Sequence, residues 1–243
     1  MKEDWGNEEY CLKMVKESEY NIKFIEKPSE EVCLIAVKQN GYYIQHIENP
    51  SEAVCLMAVK QDVYSIRYIK KPSESICLIA VEQNGSSIQF IKNPSEEVCL
   101  EAIKQNKEFG YNIEFIKKPS ENICLIAVKN YGYNIKHIKD PSEEVCMVAI
   151  KENGYNIKYI KKPSQKICLE AIKQNRNSIF YIKEPSQKIC LEAIKQNGYC
   201  IKYIKNPSEN ICMEAIKQNI NYVKYFDVKK YPKVWRYYQL LTV

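Results

Sequence analysis

The chain has 243 residues, 45% of them hydrophobic and 27% charged, with a formal net charge of +6. That apolar share can bury a core, and no apolar run approaches the ~18 residues that a bilayer-crossing helix needs. The opening segment, Met1-Lys2-Glu3-Asp4-Trp5, is acidic and lacks an apolar signal-peptide core, so neither a membrane span nor an export signal is expected.

The charge is unevenly spread. Residues 1–120 hold 15 Lys and Arg against 19 Asp and Glu, whereas residues 121–243 hold 21 against 11. Such asymmetry marks either ends with different partners or drift on solvated faces.

Repeats dominate the chain. A degenerate first copy begins at Gly6 and runs through Tyr10-Cys11-Leu12. Pro-Ser then recurs at Pro28, Pro50, Pro72, Pro94, Pro119, Pro141, Pro163, Pro185 and Pro207. The spacing is 22 residues, except for 25 between Pro94 and Pro119, where Lys107-Glu108-Phe109 supplies the excess. A period of this size signals stacked supersecondary units and overrides the one or two compact domains that length alone suggests. The expected organisation is a lead at 1–5, a ten-repeat helical solenoid at 6–227 and a capping segment at 228–243.

Within a unit, Ser29 reads as a helix N-cap, and Glu30 and Glu31 suit the positive end of the helix dipole. The helix is expected to run to Asn40, with Gly41 supplying a left-handed residue that ends it. Glu19, Val63, Arg176 and Ile220 replace that glycine elsewhere, so the turn does not depend strictly on positive φ. Val32, Cys33, Ala36 and Val37 share one helical face with Leu34 at its margin, and the small Ala36 position permits close helix approach. Ile44 and Ile47, three apart, predict a second short helix, with the ring between them partly buried. Alternation of Tyr42, Ile44 and His46 leaves a strand open, which would give a leucine-rich-repeat-like horseshoe; the signature of that repeat is missing. The fold class expected is all-α, an α-solenoid of about ten helix–turn–helix units stabilised by stacking. Trp5 and Trp235, outside the regular repeats, read as end covers.

Ten cysteines (Cys11, Cys33, Cys55, Cys77, Cys99, Cys124, Cys146, Cys168, Cys190 and Cys212) occupy one equivalent position. They do not pair in metal-ligand spacing, so buried free thiols in a reducing compartment are expected. Cys200 stands where other repeats have Asn134 or Asn156, and is expected to be exposed. His46 and His137 fill a position held by Phe or Tyr in sibling repeats, a ring replacing a ring. No phosphate loop or catalytic triad order is visible. The chain is read as a non-enzyme without cofactor, metal or small-molecule substrate.

The string from Pro28-Ser29-Glu30-Glu31-Val32-Cys33-Leu34 through Ala36-Val37-Lys38-Gln39-Asn40-Gly41 resembles uncharacterised tandem-repeat proteins of mimivirus-like giant viruses. It is also similar to a domain of unknown function in some intracellular bacteria. The resemblance spans Gly6 to about Phe226 and implies a helical array, in a host cytoplasm or a virion. It implies no biochemistry.

Two columns could bind. The position after Leu34 holds Ile35, Met57, Ile79, Ile126 and Val148 in some repeats and Glu101, Glu170, Glu192 and Glu214 in others. A position that accepts Glu reaches water, so its apolar occupants form either a protein-partner site or a contact buried within the chain. The second column, Lys129, Lys151, Lys173, Lys195 and Lys217, makes the C-terminal half basic; it is either a nucleic-acid surface or a solvated face. The functional expectation is a protein–protein interaction scaffold, with nucleic-acid binding and a structural virion role as alternatives.

Overall fold

The computed structural model describes residues 4–105 and 111–242; Lys107-Glu108-Phe109 lies outside the described residues. The fold is an all-helical α-solenoid with no strand among the described residues. Its α-helices are α1 (Glu8–Glu17), α2 (Glu30–Gln39), α3 (Glu52–Gln61), α4 (Glu74–Gln83), α5 (Glu96–Gln105), α6 (Glu121–Asn130), α7 (Glu143–Glu152), α8 (Gln165–Gln174), α9 (Gln187–Gln196), α10 (Glu209–Gln218) and α11 (Pro232–Thr242). The second element of a unit is a 3₁₀ helix, such as Gly41–His46 or Gly154–Tyr159. Contacts divide the chain into two compact units, residues 1–123 and 124–243, each a stack of these repeats.

The caps are local. Ser29 Oγ accepts from the Val32 N–H at 3.4 Å and Ser142 Oγ from the Val145 N–H at 3.2 Å, as the N-cap reading requires. The helix end differs from expectation. α2 stops at Gln39, and Asn40 is extended, with φ −155°; its side chain accepts from the Tyr42 N–H at 3.1 Å and so caps the 3₁₀ helix. No described glycine is left-handed. Positive φ occurs instead at Asn49 and Asp140, in the turn before proline.

Where the repeat has glycine, it serves a close approach. A Cβ on Gly154 would lie 2.5 Å from the Ala171 carbonyl oxygen of the next repeat, and one on Gly41 would strike the equivalent oxygen of Ala58. The fully buried alanines Ala58 and Ala171 permit that approach. Around them Val32, Cys33, Ile44 and Ile47 in the first unit, and Ile167, Cys168 and Ile157 in the second, form the core.

Ten-residue helices expose a large share of unpaired backbone ends, and this fold satisfies them with side chains. Ser87, Asn112, Asn134 and Asn156 are buried, and each donates to the carbonyl of Ala80, Ala102, Ala127 or Ala149 in its own repeat at 2.7–2.8 Å. A glutamine joins neighbouring repeats. Gln218 Oε1 accepts from the Gly198 N–H at 2.6 Å, while its Nε2 donates to the Ile194 carbonyl at 2.6 Å. Gln61 likewise accepts from the Gly41 N–H at 3.0 Å.

At the C-terminal end α11 takes the place of a further repeat. Lys233 N–H donates to Glu209 Oε1 and Tyr231 Oη to the Pro207 carbonyl, both at 2.7 Å, with Val234 fully buried. Trp235 stacks on Tyr238 at 5.9 Å. Trp5 lies 5.4 Å from Tyr10 and 5.5 Å from Phe24, covering α1.

All eleven cysteines are buried, Cys200 included. The expectation of an exposed Cys200 fails because its position, that of Asn134 and Asn156, points into the core; its Sγ lies 3.7 Å from the Arg176 carbonyl. Burial pushes the thiols of Cys33, Cys77 and Cys99 up to about 11 and that of Cys212 to about 12.

Native protein should therefore label slowly with a thiol reagent at every cysteine, and fast labelling of Cys200 would contradict its placement. The folded chain favours the neutral thiol, so this stability is fully present below the ordinary value of 9.0 and is lost as pH rises toward 11. Denaturation midpoints should fall across that window; a flat profile would count against burial. Gly154→Ala should destabilise by about 1–3 kcal/mol in chemical denaturation, because the new Cβ meets the Ala171 carbonyl oxygen, backbone that must shift to admit it.

Candidate functional site

Two surfaces carry side chains that the core does not consume. The first is a face of the α-helices. Ile35, Met57 and Ile79 are half-buried, as are Leu34, Leu56 and Leu78 beside them, so the first unit presents an apolar stripe two residues wide. Ile126 and Val148 in the second unit are also half-buried, and so are Glu101, Glu170, Glu192 and Glu214 at the same position. The register explains this intermediate state: Val32, Cys33, Ala36 and Val37 point inward, leaving the two residues between them at the rim.

Lys129, Lys151, Lys173, Lys195 and Lys217 are exposed on that same face, three residues further along each helix. Lys173 lies 4.0 Å from Glu170, Lys217 3.9 Å from Glu214, and Lys104 3.4 Å from Glu101. Exposed pairs of this kind add little stability. Their consequence is to lower the positive potential wherever the stripe carries Glu.

The second surface, which the sequence reading left aside as partly buried rings, is the edge formed by the 3₁₀ helices. In a 3₁₀ helix residues three apart eclipse, so Ile44 and Ile47 face inward together while Tyr42 and His46 turn out. Tyr42, Phe24, Tyr64 and Tyr181 are exposed, and Tyr159, Tyr203 and His137 are half-buried. Rings of successive repeats meet edge to face: Tyr42 with Tyr68 at 5.2 Å, Tyr133 with Tyr159 at 5.1 Å, Tyr199 with Tyr225 at 5.5 Å. Cations sit among them. Lys202 Nζ is 3.9 Å from the Tyr199 centroid and 4.5 Å from that of Tyr203, and the Arg67 guanidinium is 4.8 Å from Phe90. The Lys202 ammonium holds the Tyr199 phenol below its usual value, and Tyr199 in turn raises Lys202.

Grooves open along this edge between consecutive turns. One of about 800 Å³ is lined by His137, Lys139, Tyr159 and Lys161 over Cys146 and Ile167. A second, of about 540 Å³, is lined by Tyr159, Lys161, Tyr181 and Lys183. A third, in the first unit, measures about 410 Å³ and carries Glu26, Glu30 and Glu48. Ser51 Oγ donates to Glu30 at 2.5 Å and Ser164 Oγ to Glu143 at 2.7 Å, so Glu30 and Glu143 each hold the N-cap serine of the next repeat. That pairing was invisible from one repeat alone, where these residues read only as dipole partners; their spacing of 21 residues is the signal that could have found it.

Among the described residues no group of three or more His, Cys, Asp or Glu could hold a metal ion, and no helix is long and apolar enough to cross a membrane. Comparison of the chain with family models, with curated proteins and with solved structures finds no match.

Proposed function

We propose that this chain is a non-enzymatic repeat scaffold that docks a protein partner on the helix face of its first unit. The observation that carries the reading is the half-buried stripe of Leu34, Ile35, Leu56, Met57, Leu78 and Ile79, in which the position of Ile35, Met57 and Ile79 is Glu in four other repeats. Half-exposed apolar side chains in a continuous row are what a partner can desolvate. The glutamates of sibling repeats argue that the fold itself does not need the Ile35, Met57 and Ile79 position to be apolar.

The resemblance to giant-virus repeat proteins supports a setting in an infected host cell or a virion. Buried thiols suit a reducing compartment there. The lysine column reads as a solvated face, because Lys173 and Lys217 are neutralised by Glu170 and Glu214.

Ile79→Glu and Ile126→Glu place in one repeat what Glu101 and Glu170 already are in others. Each should change stability by no more than about 1 kcal/mol, as surface substitutions do. Partner capture by the wild-type chain, measured after nuclease treatment, should be lost in the Ile79→Glu protein while its helical signal stays. Retained capture, or loss of the fold, would contradict the docking site.

A further inference from the structure

The loop edge of residues 124–243 repeats one arrangement. Each 3₁₀ helix ends on a ring, and two residues later the turn before proline carries a lysine: His137 and Lys139, Tyr159 and Lys161, Tyr181 and Lys183. The lysines are exposed and Tyr181 is 39% exposed. The 800 and 540 Å³ grooves share Tyr159 and Lys161, so they are consecutive stretches of one track.

The track is basic. The larger groove is lined by Lys136, Lys139, Lys161 and Lys162 against Asp140 and Glu143, and Glu143 is already engaged by Ser164. The smaller is lined by Lys158, Lys161 and Lys183 against Glu184 alone. In the first two repeats the sign reverses, because Glu26 and Glu48 stand where Lys161 and Lys183 stand later.

A ligand matched to this track carries a flat ring and a negative charge in each of its own units. A residue of an acidic peptide brings either a carboxylate or a ring, not both, and a duplex hides its ring faces in the stack. A single-stranded polynucleotide offers both. We propose that the loop edge of residues 124–243 binds a single-stranded polynucleotide, with bases against Tyr159 and Tyr181 and phosphates on Lys161 and Lys183. This surface is built from other residues than the helix face assigned to a protein partner and does not depend on that assignment.

The test uses the full chain with fluorescent oligouridine and oligothymidine, and with a DNA duplex, polyphosphate and polyglutamate as competitors. At low salt the chain should bind at least one single-stranded probe, and affinity should fall steeply as salt rises. Duplex, polyphosphate and polyglutamate should compete poorly. Tyr181→Ala should weaken single-strand binding at least about fivefold, the lower range for a stacked base, and leave polyphosphate binding unchanged. Lys161→Glu with Lys183→Glu should reduce the salt slope by about 1.4, since each phosphate contact to a single strand contributes about 0.7. That variant has its folding control in the sequence, since Glu26 and Glu48 occupy the same position. Ile79→Glu should bind the oligonucleotides as wild type does, which separates this proposal from the protein-docking reading. No single-strand binding at low salt would overturn the proposal. So would polyphosphate or polyglutamate competing as well as the oligonucleotides, or binding indifferent to both Tyr181→Ala and the double lysine variant.

Discussion

Consecutive repeats in this chain complete one another's backbone hydrogen bonding, and most other features follow from that contact. A helix of ten residues is too short to stand alone in water, and its ends leave many donors and acceptors without partners. Here the Gly198 N–H and the Ile194 carbonyl are both met by Gln218 of the following repeat, and the Ser164 hydroxyl is met by Glu143 of the preceding one. Such contacts form only if backbones come close. That proximity suits the buried Ala58 and Ala171, and it is closest where the facing residue is Gly41 or Gly154.

The same requirement decides what could be read from sequence. Periodicity exposed the unit, its N-cap serine and its inward stripe, because these depend on spacing within a single helix. The glycine was assigned to a left-handed turn, since within one repeat that is its commonest use; its actual reason is the carbonyl of a neighbour some 17 residues away in sequence, Ala171 for Gly154. Cys200 was misplaced for a related reason. Its position alternates among Asn134, Ser178 and Asn156, types that usually face water, yet in this fold they face inward, where asparagine ties the 3₁₀ helix to the end of the α-helix.

The candidate surfaces were legible to different degrees. The column of Ile35, Met57 and Ile79 stood out because Glu replaces it in siblings, and it lies at the rim of the helix face as that pattern requires. The aromatic and lysine track did not stand out, because the rings flank buried isoleucines and their exposure depends on the 3₁₀ geometry. Both surfaces recur once per unit, so a partner would engage several weak contacts in register. Variation between copies, Glu for Ile on one face and Glu for Lys on the other, sets where along each unit such contacts are favourable.

Amide hydrogen exchange at Gly198, compared between wild type and Gln218→Ala, addresses the inter-repeat contact most directly. In the wild type this N–H is held by Gln218 Oε1 at 2.6 Å. Removing the acceptor should lower its protection about tenfold or more, in line with about 1–2 kcal/mol for a hydrogen bond whose loss leaves a buried donor unmet. Equal protection in the two proteins would show that the repeats are held together by apolar packing alone.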